Sequence, residues 1–202
     1  MNSAGPYASP DIKASHENDG AMAPSGTLLP HLAGPGACLR QVLAAHAVRH
    51  CPHIVEIGGA GLPITGFLTH SPQSVTVIDP KIPAFKADIL NGKPCTVLHR
   101  AAKLQAIALA PPKPYALVLL GLSLKPFGGT AATPPELLAL AEAAETLVID
   151  YALDLERACG QIGAITATRP APPLIDLAMT IDDPALRSAG YDRRRFLVYG
   201  PP

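Results

Sequence analysis

From residue 37 onward the hydrophobic pattern switches repeatedly between a helical period and short apolar runs. ACLRQVLAAHAVRH (37–50) places Leu39, Val42, Leu43 and His46 on one helical face, which predicts a helix packed through that face. HIVEIGG (53–59) predicts the first strand, rich in β-branched residues and starting beyond Pro52. LPITGFLTH (62–70) predicts a short helix with Pro63 in its first turn, stopped at Ser71 and Pro72. SVTVIDP (74–80) predicts the second strand. PAFKADILNGK (83–93) predicts one or two helical turns, and Cys95–His99 the third strand. YALVLLGLSL (115–124) is apolar on both faces, as a central parallel strand requires.

Thr133 and Glu136 bracket two prolines as a capping box with Pro at the first helical position, so a helix is expected to about Glu145. TLVID (146–150) predicts the fifth strand, and ALDLERACGQI (152–162) a helix ending near Gly163. After the proline-rich link RPAPP (169–173), PLIDLAMTI (173–181) fits strand or helix, DPALRSAG (183–190) a short turn, and RRFLVYG (194–200) a last strand. Strands alternating with helices imply an α/β fold: a doubly wound, mostly parallel sheet of about seven strands with helices on both faces. Residues 1–30, rich in Ser, Pro, Gly, Asn and Asp, are expected to form a flexible arm, and residues 31–202 a single domain.

Composition narrows the class. Of the 202 residues 48% are hydrophobic and 16% charged, which suits a full apolar core. The formal net charge is zero, and the only basic run, Arg193–Arg194–Arg195, reads as a solvated strand end. On that basis no nucleic-acid partner is expected. No apolar run reaches the length of a membrane span, and the N-terminal stretch lacks the apolar core of an export signal. A soluble, cytoplasmic protein with no membrane partner is therefore expected. The four cysteines, Cys38, Cys51, Cys95 and Cys159, are widely spaced, which disfavours a disulfide framework. His46, His50, Cys51 and His53 cluster before the first strand, at the far end of the sheet from a ligand, so no metal site is expected there.

Candidate chemistry gathers where the first strand ends: Glu56-Ile57-Gly58-Gly59-Ala60-Gly61-Leu62. In open α/β sheets ligands sit beyond the carboxyl ends of the strands. Glycines at 58, 59 and 61 let backbone come close to a ligand. Asp79, ending the second strand, is placed to accept from a ribose diol. Glu56 can pair with an ammonium group or fix the loop's own amides, but repels a pyrophosphate in the same pocket. The spacing is not G-x-G-x-x-G, and no Gly-Lys-Ser/Thr follows, which argues against dinucleotide and Walker sites.

The segment resembles motif I of the class I S-adenosylmethionine-dependent methyltransferases, E/D-x-G-x-G-x-G. Glu56 and Gly58 match, Ala60 and Leu62 stand where the family commonly has glycines, and Gly59 and Gly61 occupy its variable positions. Asp79 matches the family's ribose-binding acid, and 115–124 and 146–150 resemble its fourth and fifth strands. The resemblance implies S-adenosyl-L-methionine as cofactor, with Glu56 near its methionine end. Gly58, Gly59, Ala60 and Gly61 would pass beneath it, and Asp79, Pro80, Gly121 and Leu122 would line it. It departs at the third strand's end, where Arg100 or Ala101 replaces a common acid, and lacks the Asn-Pro-Pro-Tyr signature of amino methylation.

His99, Asp150 and Tyr151 end strands on the ligand side and are the candidate catalytic residues. The expected function is methyl transfer to a small molecule or peptide, with dimerisation as one way to complete the pocket. The alternatives are another reaction of the same cofactor, or a binding protein without catalysis.

Overall fold

The computed structural model describes residues 35–59, 62–120, 133–153, 160–182, 184–188 and 192–201. The expected arm at 1–30 lies outside them, as do Ala60, Gly61, Gly121 and Leu122. In chain order the elements are α1 (Pro35–Ala47), β1 (His53–Gly58), β2 (Ser74–Ile78), β3 (Phe85–Leu90), β4 (Lys93–Arg100) and β5 (Tyr115–Leu120). There follow α2 (Pro135–Ala143), β6 (Thr146–Ala152), α3 (Gln161–Thr166), β7 (Ile175–Thr180), α4 (Pro184–Ser188) and β8 (Arg193–Tyr199). Single 3-10 turns occur at Ile64–Gly66 and Leu104–Ala106.

The eight strands form one sheet in the order β3-β4-β2-β1-β5-β6-β8-β7. The central five, β4, β2, β1, β5 and β6, are parallel. Counted along the chain they lie third-second-first-fourth-fifth, the doubly wound order with its switch point between β1 and β5. Both flanks are antiparallel, β3 on β4 at one edge and β8 between β6 and β7 at the other. The sheet is thus mixed and eight-stranded: its core of five parallel strands is as expected, but both flanks are antiparallel and its described helices are few.

The differences have local causes. Residues 85–100 form a hairpin in place of helical turns, because Asn91 (φ 52°) and Gly92 (φ 74°) make the left-handed two-residue turn that Asn-Gly favours. The helix expected over 62–70 is one 3-10 turn, since β-branched Ile64 and Thr65 and then Gly66 give it little propensity. At α2 the proline at N1 holds, but Pro134 occupies the cap position with no side-chain bond, so Thr133 does not cap. The segment 173–181 resolves as a strand, β7.

Two apolar layers sandwich the parallel strands. Val55, Ile57, Leu117, Leu119, Leu147 and Ile149 pack under α2 and α3. Ile54, Val75, Val77, Val97, Val118, Val148 and Phe196 pack under α1. All six residues of β5 are buried on both sides; each large apolar side chain contributes roughly 1.5–3 kcal/mol relative to exposure. Arg169 ties the end of α2 to the C-terminal segment, donating to the carbonyls of Ala141 and Ala144, both at 2.6 Å, and of Gly200 at 3.1 Å.

Helix α1 is turned opposite to expectation. Leu39 and Val42 are 47% and 52% exposed, whereas Arg40 and Gln41 are buried with Ala44, Ala45 and Val48. His46 is also exposed. The inward positions of the polar pair follow from what lies beneath them.

Candidate cofactor site at the ends of β1 and β2

Glu56 stands on β1 facing α1, between Val77 of β2 and Val118 of β5 in register. Its side chain is fully buried. Oε2 accepts the Ile64 amide at 2.7 Å, so the carboxylate starts the 3-10 turn that covers it. Oε1 is buried and has no hydrogen-bond partner. Burial pushes the carboxyl pKa up to about 8, against the pull of the Ile64 amide; the charge of Asp79 adds to the rise and that of Arg40 opposes it.

The two described glycines are required by the protein's own packing. Gly58 (φ 88°) brings β1 so close to β5 that a Cβ would lie 2.2 Å from the Leu120 carbonyl oxygen. That oxygen accepts the Gly59 amide at 3.0 Å, stitching the two strand ends at the switch point. At Gly59 (φ 108°) a Cβ would lie 2.5 Å from Glu56 Oε1 and 3.4 Å from Gln41 Nε2. Gln41 reaches down from α1 and donates to the carbonyls of Gly59 at 3.4 Å and Leu62 at 2.5 Å, on either side of residues 60–61.

Asp79 closes β2 and is almost wholly buried. Its Oδ1 accepts the Lys81 amide at 2.8 Å, fixing the turn in which Pro80 is exposed. His99 lies on β4, paired in register with Val77, so Glu56, Val77 and His99 follow one another across three strands. The His99 ring meets Thr65 Oγ1 at 3.2 Å and packs on Phe85 with centroids 5.2 Å apart. Burial lowers its pKa, which keeps the imidazole neutral near pH 7.

Asp150 and Tyr151 do not lie open to a substrate. Asp150 is fully buried and accepts from Arg40 Nη1 at 2.7 Å and from Arg194 Nε and Nη2 at 2.9 and 2.7 Å. Burial alone would raise its pKa, but the two guanidinium charges and their hydrogen bonds outweigh that and hold it low. This triad explains why α1 turns Arg40 inward. It also corrects the expected solvated run: Arg194 is buried and Arg195 pairs with Asp176 at 2.8 Å, while Arg193 is exposed. Tyr151 is likewise buried, on the opposite face of β6, with its hydroxyl 3.4 Å from Arg195 Nη1.

Sequence reasoning missed Arg40, Gln41 and Arg194. The only signal for them was polar residues at positions a helix and a strand would turn inward, which no local pattern distinguishes from the outward choice. Cys38 is exposed and Cys51 and Cys95 are buried, all as free thiols; Cys159 lies outside the described residues. No helix among the described residues is long and apolar enough to cross a membrane.

No family model and no curated protein sequence matches the chain. Among solved structures, the 23S rRNA methyltransferase ErmE is similar at 13% identity and a TM-score of 0.43, over 80% of this chain and 67% of that one. This finding corrects one expectation. The similar structure is by name a methyltransferase of ribosomal RNA, which runs against the expectation of no nucleic-acid partner.

Proposed function

We propose that this chain is an S-adenosylmethionine-dependent methyltransferase. The observation that carries the proposal is the fully buried Glu56 carboxyl near the end of the first parallel strand, with one oxygen lacking a hydrogen-bond partner. A buried acceptor without a partner is costly, and a ligand cation next to it removes that cost. Asp79, at the end of the neighbouring strand, adds a second carboxylate suited to a ribose diol. Two acids at neighbouring strand ends suit a cofactor with a cationic end and disfavour a pyrophosphate. The flank of the sheet agrees: a dinucleotide fold continues with a parallel sixth strand, whereas β8 here is antiparallel.

In this proposal Glu56 binds the cofactor's ammonium and Asp79 its ribose. Gly58, Gly59, Ala60 and Gly61 form the floor, and Pro80, Gly121 and Leu122 the rim. Bound there, S-adenosylmethionine supplies an electrophilic methyl group, and the chain's task is to align an acceptor with it. His99, neutral and partly exposed, is the residue proposed to take a proton from the acceptor. Asp150 and Tyr151 are assigned no step. Small molecules, peptides and RNA are the acceptor classes to be screened.

A second proposal is a methyltransferase-like binding protein without turnover. It is favoured by the burial of two of the three residues expected to act on the acceptor. Calorimetry with S-adenosylmethionine, S-adenosylhomocysteine and NAD(P), on the native protein and on Asp79→Ala, tests the cofactor. Adenosyl binding that weakens about 10- to 100-fold in Asp79→Ala is expected, the range for a hydrogen bond to a charged group. Binding of NAD(P) without adenosyl binding overturns the proposal. Mass spectrometry of the acceptor screen then separates enzyme from binder.

A further inference from the structure

Helix α1 exposes Leu39 and Val42 and buries Arg40 and Gln41. Burying polar side chains costs free energy unless each finds partners. Arg40 is paired with Asp150 through Nη1, although its Nη2 is buried without a partner. Gln41 is accounted for only in part: Nε2 gives two bonds to loop carbonyls, while Oε1 is buried and unpartnered. Those two bonds also fix the carboxamide's orientation, because a flipped amide would set oxygen against two carbonyl oxygens.

Glu56 Oε1 is in the same condition, buried and without a donor. Both side chains pack closely against Gly59, where an added Cβ would stand 2.5 Å from Glu56 Oε1 and 3.4 Å from Gln41 Nε2. Two neighbouring side chains thus each hold a buried oxygen with no partner, and Glu56 Oε1 serves as an acceptor once a cation beside it ionises the carboxyl. A primary ammonium, with three N–H donors and no acceptor, is the group that satisfies both at once. A hydroxyl has one donor, and a carboxylate has none.

We propose that Gln41 is a specificity-determining residue of this site, whose Oε1 joins Glu56 Oε1 in accepting the primary ammonium of the cofactor's amino-acid end. The inference rests on the S-adenosyl assignment. It gives Gln41 two tasks: Nε2 holds the loop, and Oε1 reads the ligand. A residue that only held the loop would affect every ligand of the site alike.

The test compares ligands that share the adenosyl part. S-Adenosylhomocysteine, its deaminated analogue and 5′-methylthioadenosine are titrated calorimetrically into the native protein, Gln41→Leu and Gln41→Glu, after circular dichroism has established that the variants fold. The native protein is expected to favour S-adenosylhomocysteine over the deaminated analogue tenfold or more. Gln41→Leu should cut that preference several-fold; Gln41→Glu, which keeps an acceptor but loses both donors, should retain it while weakening all three ligands. Equal weakening of all three in Gln41→Leu overturns the proposal, because Gln41 is then only a clasp. Equal binding of S-adenosylhomocysteine and its deaminated analogue to the native protein also overturns it, with no variant needed. Failure of the native protein to bind any adenosyl ligand overturns the S-adenosyl assignment itself.

Discussion

Glu56→Gln tests the electrostatics of the site directly. In the folded protein the carboxyl titrates at about 8, against 4.5 as the ordinary value. Its burial is complete. Between those two pH values the folded state holds a proton that the unfolded state has lost. Stability from this group is therefore fully present below about pH 4.5 and is lost as pH rises through about 8. Each pH unit between the two values corresponds to roughly 1.4 kcal/mol, so the full loss approaches ~5 kcal/mol, of which ~2–3 kcal/mol falls between about pH 6 and 9. Glutamine has the same shape, keeps an oxygen for the Ile64 amide and carries no charge. Urea denaturation of both proteins at four pH values from 6 to 9 should show the native protein losing that amount relative to the variant. Histidines titrate equally in both and cancel in the difference. Parallel stability curves would show that Glu56 is ionised throughout and refute the reasoning.

Two further perturbations address the frame of the site. Asp150→Asn leaves Arg40 and Arg194 buried without a counter-charge and should cost about 3–5 kcal/mol in chemical denaturation; a loss under 1 kcal/mol would mean that the triad is solvated. Gly58→Ala forces a Cβ onto the Leu120 carbonyl oxygen at a positive φ. It should destabilise by ~2 kcal/mol or more and weaken adenosyl binding, and a variant of native stability and affinity would show that β1 and β5 do not meet as described.

The parallel core was legible in the sequence because β-branched runs bounded by Pro and Gly leave little choice but strand. HIVEIGG, SVTVIDP, TLVID and the described part of YALVLLGLSL, Tyr115–Leu120, all supply strands of the central sheet. The hairpin of β3 and β4 was also written locally, in Asn91-Gly92, but the flanking segment lacks clear alternation and its strand has mostly exposed residues. An edge strand with little burial leaves a weak pattern. The two acids of the candidate site, Glu56 and Asp79, were legible because each stands at or near the carboxyl end of a recognisable strand.

What the sequence by itself determined was the set of central strands and the placing of both acids at their carboxyl ends. Only the tertiary structure decided how those acids are employed. Arg40, Gln41, Asp150 and Arg194 lie up to 154 residues apart in the chain, and no local period links them. The rotation of α1 depends on which buried partners await it. Asp150 awaits Arg40, and the loop carbonyls of Gly59 and Leu62 await Gln41. A helical pattern weighs apolar area alone and so turned Leu39 and Val42 inward, whereas buried charges and carbonyls need donors and, in the folded protein, these outweigh two apolar side chains.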